Sequence, residues 1–284
     1  MIKAATALQP LLALTGAVAL VAAARAQTAD EVIAKARAYL GDEATLNAIH
    51  SVHFFGTIET GQATPGDTKA ARSAIEIVFQ EPYRQRITRT SPTTVQVTGL
   101  DDYDGWQQVQ DLKDVNNWQL TLLQPEVVKN LRANTWENLN FFKGIEQRGG
   151  SVQIMGPATV KGIATIKVAF IHDPKIIFYR YFDAKSGKLV LTETNLGDQI
   201  MEEGEIMVNG LRFPQKVTSV GKAKNADGKV VEVPVVITFD KIILNETFPA
   251  DYFSVPPMRP PSPPSPPPSA PAATGPMPSP PVTH

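Results

Sequence analysis

The side chains of this 284-residue chain that could carry chemistry are few and scattered. Its four histidines are His50, His53, His172 and His284. His50 and His53 stand at a point where a helical pattern gives way to a strand pattern, close enough to face one metal ion. A metal site needs three or four donors, and Glu59 is the one carboxylate near them, so the pair reads as structural. Asp101, Asp102 and Asp104 before Gly105 place carboxylates somewhat as a calcium loop does, but no glutamate follows to close the coordination. An acidic hairpin turn leading into a strand at Trp106 accounts for them. Glu202, Glu203 and Glu205 around Gly204 read likewise as a solvated turn. The chain has no Gly-x-Ser-x-Gly elbow, no phosphate-cradling glycine loop, no His-Glu-x-x-His and no cysteine. No paired acid, base or nucleophile results, so neither an enzyme nor a metal or cofactor is expected.

What remains is apolar contact. Trp106, Trp118 and Trp136, with Phe54, Phe79, Phe141, Phe142, Tyr179 and Tyr181, could wall a cavity or simply fill a core. The run Ile176 to Phe182 is apolar on both faces of a strand, so one face can pack outward while the other lines an interior.

The elements that must position these residues follow from periodicity. Thr28 and Glu31 form a capping box, and Val32, Ile33, Ala36, Tyr39 and Leu40 make one apolar helical face that Gly41 ends. A second short helix is expected over Glu43 to Ile49. From Ser51 the period changes to two: Val52, Phe54 and Ile58 alternate with polar residues, as do Ile75, Ile77 and Phe79. Further strands are expected at Gln85 to Thr90, Thr94 to Thr98, Gly105 to Gln110, Ser151 to Met155, Thr165 to Ile171, Ile176 to Phe182 and Leu189 to Asn195. Gly204 to Val208, Phe213 to Val220 and Val230 to Leu244 complete the set. Turn residues at hairpin spacing, among them Asp173-Pro174, Asn209-Gly210 and Asp227-Gly228, make this a long antiparallel meander. One helix interrupts it: Gln124 to Lys143, with Pro125 in its first turn and Val128, Leu131, Trp136, Leu139 and Phe142 at helical spacing. Such a helix needs an apolar surface, and one face of a curved sheet supplies it.

The ends differ from the middle. Met1 to Ala26 reads as a cleavable export signal: Lys3, an apolar run from Leu11 to Ala24, and a small-x-small exit at Ala24-Arg25-Ala26. Removing it takes away Lys3 and Arg25, so the 28 acidic residues outnumber the basic ones and the clustered positive charge of a nucleic-acid binder is not expected. Without cysteine the exported domain has no disulfide and no site for lipid attachment, and it must be held by its core alone. Pro256 to His284 holds 14 of the 24 prolines, with Arg259 as its only fixed charge, and reads as an extended, disordered, polyproline-like tail.

Three stretches together resemble the LolA/LolB-like family of outer-membrane lipoprotein-sorting proteins. The first is Asp30-Glu31-Val32-Ile33-Ala34-Lys35 followed by Leu46, Ile49, Ser51 and Val52. The second is the hairpin Tyr181-Phe182-Asp183-Ala184-Lys185-Ser186-Gly187-Lys188-Leu189, where Ser186 stands at the usual threonine. The third is Asn209-Gly210-Leu211-Arg212-Phe213-Pro214 with Phe239 to Asn245 and Phe253-Ser254-Val255-Pro256. The resemblance spans nearly all of Thr28 to Pro256. It implies a mainly β, α+β fold, a strongly curved antiparallel sheet forming an incomplete barrel with a helical lid, whose apolar inner face receives acyl chains. It implies a soluble periplasmic carrier or sensor of a lipid or a lipoprotein's acyl chains, with an envelope membrane complex as a further partner. Cavity and lid candidates are then Phe54, Ile75, Ile77, Phe79, Trp106, Leu131, Trp136, Leu139, Phe142 and Phe178. The proline tail departs from the family, and no residue matches a lid-latching arginine. The alternative is an envelope module of the same fold with a closed core and no ligand, docked through its tail.

Overall fold

The computed structural model describes residues 27–61, 71–114, 116–224 and 228–257. The export signal expected at Met1 to Ala26 and the tail beyond residue 257 lie outside the described residues.

Helix α1 (Ala29–Leu40) starts as its sequence dictates: the Thr28 hydroxyl accepts from the Glu31 amide while the Glu31 carboxylate accepts from the Thr28 amide. Helix α2 is Glu43–Asn47, capped by Asp42 and two residues shorter than its expected span. The strands that follow are β1 (Ser51–Thr60), β2 (Ala71–Gln80), β3 (Arg84–Thr90), β4 (Thr94–Asp101), β5 (Asp104–Asp111) and β6 (Trp118–Leu122). Helix α3 (Pro125–Asn140) and a single 3₁₀ turn (Glu146–Arg148) lead to β7 (Ser151–Val160), β8 (Ile163–Asp173), β9 (Ile176–Asp183), β10 (Leu189–Thr194) and β11 (Gln199–Glu203). The last strands are β12 (Ile206–Val208), β13 (Leu211–Phe213), β14 (Lys216–Lys224) and β15 (Val230–Leu244).

Several elements differ from the sequence expectation. The helix expected to reach Lys143 stops at Asn140, because Phe141 and Phe142 both take left-handed backbone, φ 47° and 73°. The strand expected over Gly204 to Val208 is the short β12, one arm of a hairpin with β13 whose turn residues Asn209 and Gly210 both have positive φ. Pro214 separates β13 from β14, dividing the strand expected over Phe213 to Val220. Strands β6 and β11 were not anticipated; β6 pairs with β5 alone, and β11 lies between β10 and β14 where a solvated turn around Glu202 was expected.

Thirteen of the described strands form one curved antiparallel sheet that does not close, in the order β6-β5-β4-β3-β2-β1-β15-β14-β11-β10-β9-β8-β7. Its two edges, β6 and β7, are consecutive in the chain, and the segment between them is α3. The helix therefore crosses the opening. It packs on β2 to β5 and reaches β8 and β9 through Glu137.

Candidate functional site

Cross-strand register sorts side chains onto two faces, because directly paired residues share a face. Val52 pairs with Phe79, Phe54 with Ile77 and Ile77 with Ile87, which puts these on the face the helices cover. His53 pairs with Val78, Val78 with Arg86, Arg86 with Gly99 and Gly99 with Trp106, which puts that row on the opposite, outer face.

The inner face carries two apolar clusters. The first joins Phe54, Ile75, Ile77, Phe79, Phe239 and Ile242 of the sheet and Phe213 of the β12–β13 hairpin to Leu46 and Ile49 near α2, and to Leu139 and Phe141 at the end of α3. The Phe54 ring lies 4.8 Å from Phe239 and 6.0 Å from Phe213, centre to centre. The second joins Val32, Ile33 and Ala36 of α1 to Val168, Phe170 and Phe182, with Phe142 and Ile145 between them and Phe178 alongside. Phe142 meets Phe182 edge to face at 5.1 Å. The two left-handed residues thus split, Phe141 to one cluster and Phe142 to the other.

Polar clasps hold this cover in place. Arg37 of α1 is 3% exposed, and its guanidinium donates to the carbonyl oxygens of Asn140 and Phe141, both at 2.9 Å, just past the last turn of α3. The same group pairs with Glu43 at 2.8 Å and donates to Asn47 Oδ1 at 2.8 Å, so one side chain ties α1, α2 and α3 together. The hydrogen bond from Arg37 depresses the Glu43 carboxyl to about 2, with Lys143 adding to the effect. Across the opening, Glu137 of α3 is buried between Arg180 of β9 and His172 of β8, the latter at 2.5 Å. Burial alone would raise the Glu137 carboxyl; the Arg180 charge and His172 override it and leave its pKa below the ordinary value. Beneath the middle of α3, the buried Thr135 hydroxyl faces Gln85 Oε1 at 3.4 Å.

The structure brings together Phe54, Ile75, Ile77, Phe79 and Leu139 in the first cluster, and Phe142 with Phe178 in the second. Leu131 and Trp136 are half-buried on α3; Trp136 sits at the helix margin against Tyr83 and Arg148. Trp106 does not join them. It is fully buried on the outer face, lying across Gly99, and its indole N–H donates to the Phe253 carbonyl at 2.9 Å. Tyr179 and Tyr181 also face outward, over Lys167.

Residues 245–257 form a strap across that outer face. The Arg86 guanidinium donates to the Tyr252 carbonyl at 2.7 Å, and the Ser254 hydroxyl meets Asp101 at 3.0 Å. Under the strap His53 is 4% exposed, with Nδ1 2.6 Å from Glu246 and Nε2 2.7 Å from Glu76. Sequence proximity alone offered Glu59 as its carboxylate; the fold supplies two others. Among the described residues no group of His, Asp or Glu is placed to hold a metal ion, and no helix is long and apolar enough to cross a membrane.

Sequence reasoning missed Arg37, Glu137, His172 and Arg180. The available signal was a charge on an apolar helical face, Arg37 beside Ile33 and Ala36, and Glu137 beside Ala133 and Trp136.

No protein-family model and no curated protein matches this chain. Solved structures do. A LolA superfamily protein from Nitrosomonas europaea superposes with a TM-score of 0.51 at 12% identity, over 81% of this chain and 98% of that one. The fold is thus LolA-like: a curved, unclosed antiparallel sheet with helices over its inner face. Weaker likenesses are a DUF1329 family protein from Desulfovibrio piger and a Vibrio parahaemolyticus domain named for outer-membrane lipoprotein sorting. The first has a TM-score of 0.49 at 7% identity, over 79% of this chain and 96% of that one. The second has 0.47 at 7% identity, over 79% and 95%.

Proposed function

We propose that this protein is a non-enzymatic binding protein of the periplasm that holds a lipid, or the acyl chains of a lipoprotein, between its helices and the inner face of its sheet. The observation that carries the reading is the construction of the cover. Helices from separate stretches of chain lie on aromatic-rich apolar clusters, and they are joined to one another and to the sheet by the side-chain clasps at Arg37 and Glu137. Release of these few clasps would leave the strand ladders intact, and a cover that lifts exposes apolar surface in which each buried methylene of a ligand gains about 0.8 kcal/mol. The lining consists of Phe54, Ile75, Ile77, Phe79 and Phe178 on the sheet, and of Leu139 and Phe142, with Leu131 and Trp136, on the cover. The export signal Met1 to Ala26 delivers the domain spanning residues 27–255, and Pro256 to His284 acts as its spacer.

Mass spectrometry of lipid extracted from purified mature protein, paired with titration of a fluorescent fatty acid, tests this. The native protein should yield bound lipid, and Phe79→Asp, placing a charge on the inner face, should abolish uptake in protein that remains folded. Undiminished uptake by folded Phe79→Asp overturns the assignment.

The close aromatic packing of the inner face favours a second reading, a ligand-free envelope module docked through its proline tail. Deleting residues 256–284 separates the two: a carrier keeps its lipid, whereas a docking module loses its partner.

A further inference from the structure

The outer margin of α3 carries a stack in which aromatic rings and guanidinium groups alternate: Tyr103, Arg132, Tyr83, Arg148, Trp136. Arg132 lies 3.8 Å from the Tyr103 ring centre and 3.7 Å from that of Tyr83, and Arg148 lies 3.9 Å from Tyr83 and 4.3 Å from Trp136. The two arginines differ in their partners. Arg132 is ion-paired to Asp102, whereas no carboxylate among the described residues pairs with the Arg148 side chain. Partial burial lowers the Arg148 pKa, with no neighbouring anion to offset it.

Arg148 opens onto a cleft of about 480 Å³ that it lines with Glu81, Pro82, Trp136 and Gln147. Glu81, Trp136 and Gln147 also line an adjoining gap of about 170 Å³ between α2 and α3. That gap is lined further by Arg37, Asn47, Asn140 and Lys143 and by Leu46, Ile49 and Leu139, the last three members of the first inner cluster. The cleft and the gap therefore share a wall, with the Arg148 guanidinium in the cleft and three side chains of the apolar core, beside the Arg37 clasp, in the gap. The one carboxylate at the mouth, Glu81, is engaged by His50 at 3.2 Å.

A guanidinium clamped between two rings has little rotamer freedom left to lose on binding, and its in-plane N–H groups match the two oxygens of a carboxylate or phosphate. We propose that this cleft is the mouth through which an acyl chain enters, and that Arg148 holds the chain's anionic head, a carboxylate or a phosphate. The inference rests on the acyl-binding reading above.

Calorimetric titration of the mature full-length protein with dodecanoate, dodecyl phosphate, dodecanol and inorganic phosphate tests it. The two anionic chains should bind about tenfold more tightly than dodecanol, as a charge-assisted pair provides. Arg148→Gln should erase that difference while leaving dodecanol binding unchanged, and Arg148→Lys, a cation without the planar fork, should restore it only in part. Equal binding of charged and neutral chains by the native protein, or a preference that survives Arg148→Gln, overturns the head-group site but leaves the acyl-binding reading standing. Inorganic phosphate binding as tightly as dodecyl phosphate overturns the chain-linked source. Failure of all three chains to bind overturns the acyl-binding reading, and this inference with it.

Discussion

The two faces of the sheet are covered in different ways, though both bury aromatic rings and both use buried polar groups. On the outer face the cover is one strap, residues 245–257, continuous with β15 and fixed by backbone carbonyls accepting from Arg86 and Trp106. Trp106 fills the space over Gly99 so closely that a Cβ there would fall 2.2 Å from the indole ring. On the inner face the cover is built from separate helices, and its fastenings converge on a few polar side chains: Arg37 with Glu43, and Glu137 with Arg180 and His172. Grooves run along the helix margins, one of about 610 Å³ between α1 and the segment around Lys143. One cover is part of the packing of the sheet; the other is tied on.

That contrast can be broken experimentally. The largest expected effect is at Trp106. Trp106→Ala leaves a cavity and frees the strap, and should cost about 3–5 kcal/mol of global stability in urea denaturation. Amide exchange in α3 should change no more than global unfolding requires, and selective opening of α3 in this variant would undo the distinction between the covers.

Glu137→Gln should cost about 1.5–3 kcal/mol, since it replaces a carboxylate held by two partners with a neutral amide and leaves Arg180 buried without its counter-charge. Here the loss should be local: exchange in α3 should accelerate while β4 and β5 stay protected. Uniform acceleration across the sheet would show that the helix is not separable.

The smallest effect is the acid response of the Arg37 clasp. The folded-state pKa of Glu43 lies at about 2 against an ordinary value of 4.5. A depressed carboxyl contributes stability that is complete above 4.5 and is lost as pH falls towards about 2. Glu43→Gln should thus be less stable than the native protein at pH 7, with the gap narrowing as pH falls from 4.5 to 2. Because Glu43 is half exposed, the gap should be modest. A gap independent of pH would remove the ionic part of this clasp.

Much of the architecture was legible in the sequence. The capping box at Thr28 and Glu31 starts α1 where expected, the 2-residue period marks β1 and β2, and the alternating run Val230 to Leu244 is one strand at those bounds. Such features are local, set by neighbours a few residues apart. The α3 boundary was misjudged because Phe141 and Phe142 continue the apolar spacing while their backbone has already turned left-handed. The strand expected over Phe213 to Val220 is divided because Pro214 has no amide hydrogen to give a strand ladder.

The sequence by itself determined which residues alternate along each strand and helix, and so which can share a face. It could not determine which face lies inside the curve, since that depends on how thirteen strands coil together. Trp106 is therefore an aromatic on a strand until the fold sets it beneath the strap, away from Phe54 and Phe79. The clasps were hidden for the same reason: Arg37 reaches carbonyls more than 100 residues away, and Glu137 meets Arg180 43 residues further on. Only the closing of α3 across the open sheet brings those charges together, because burial there lets each ion persist only beside its partner.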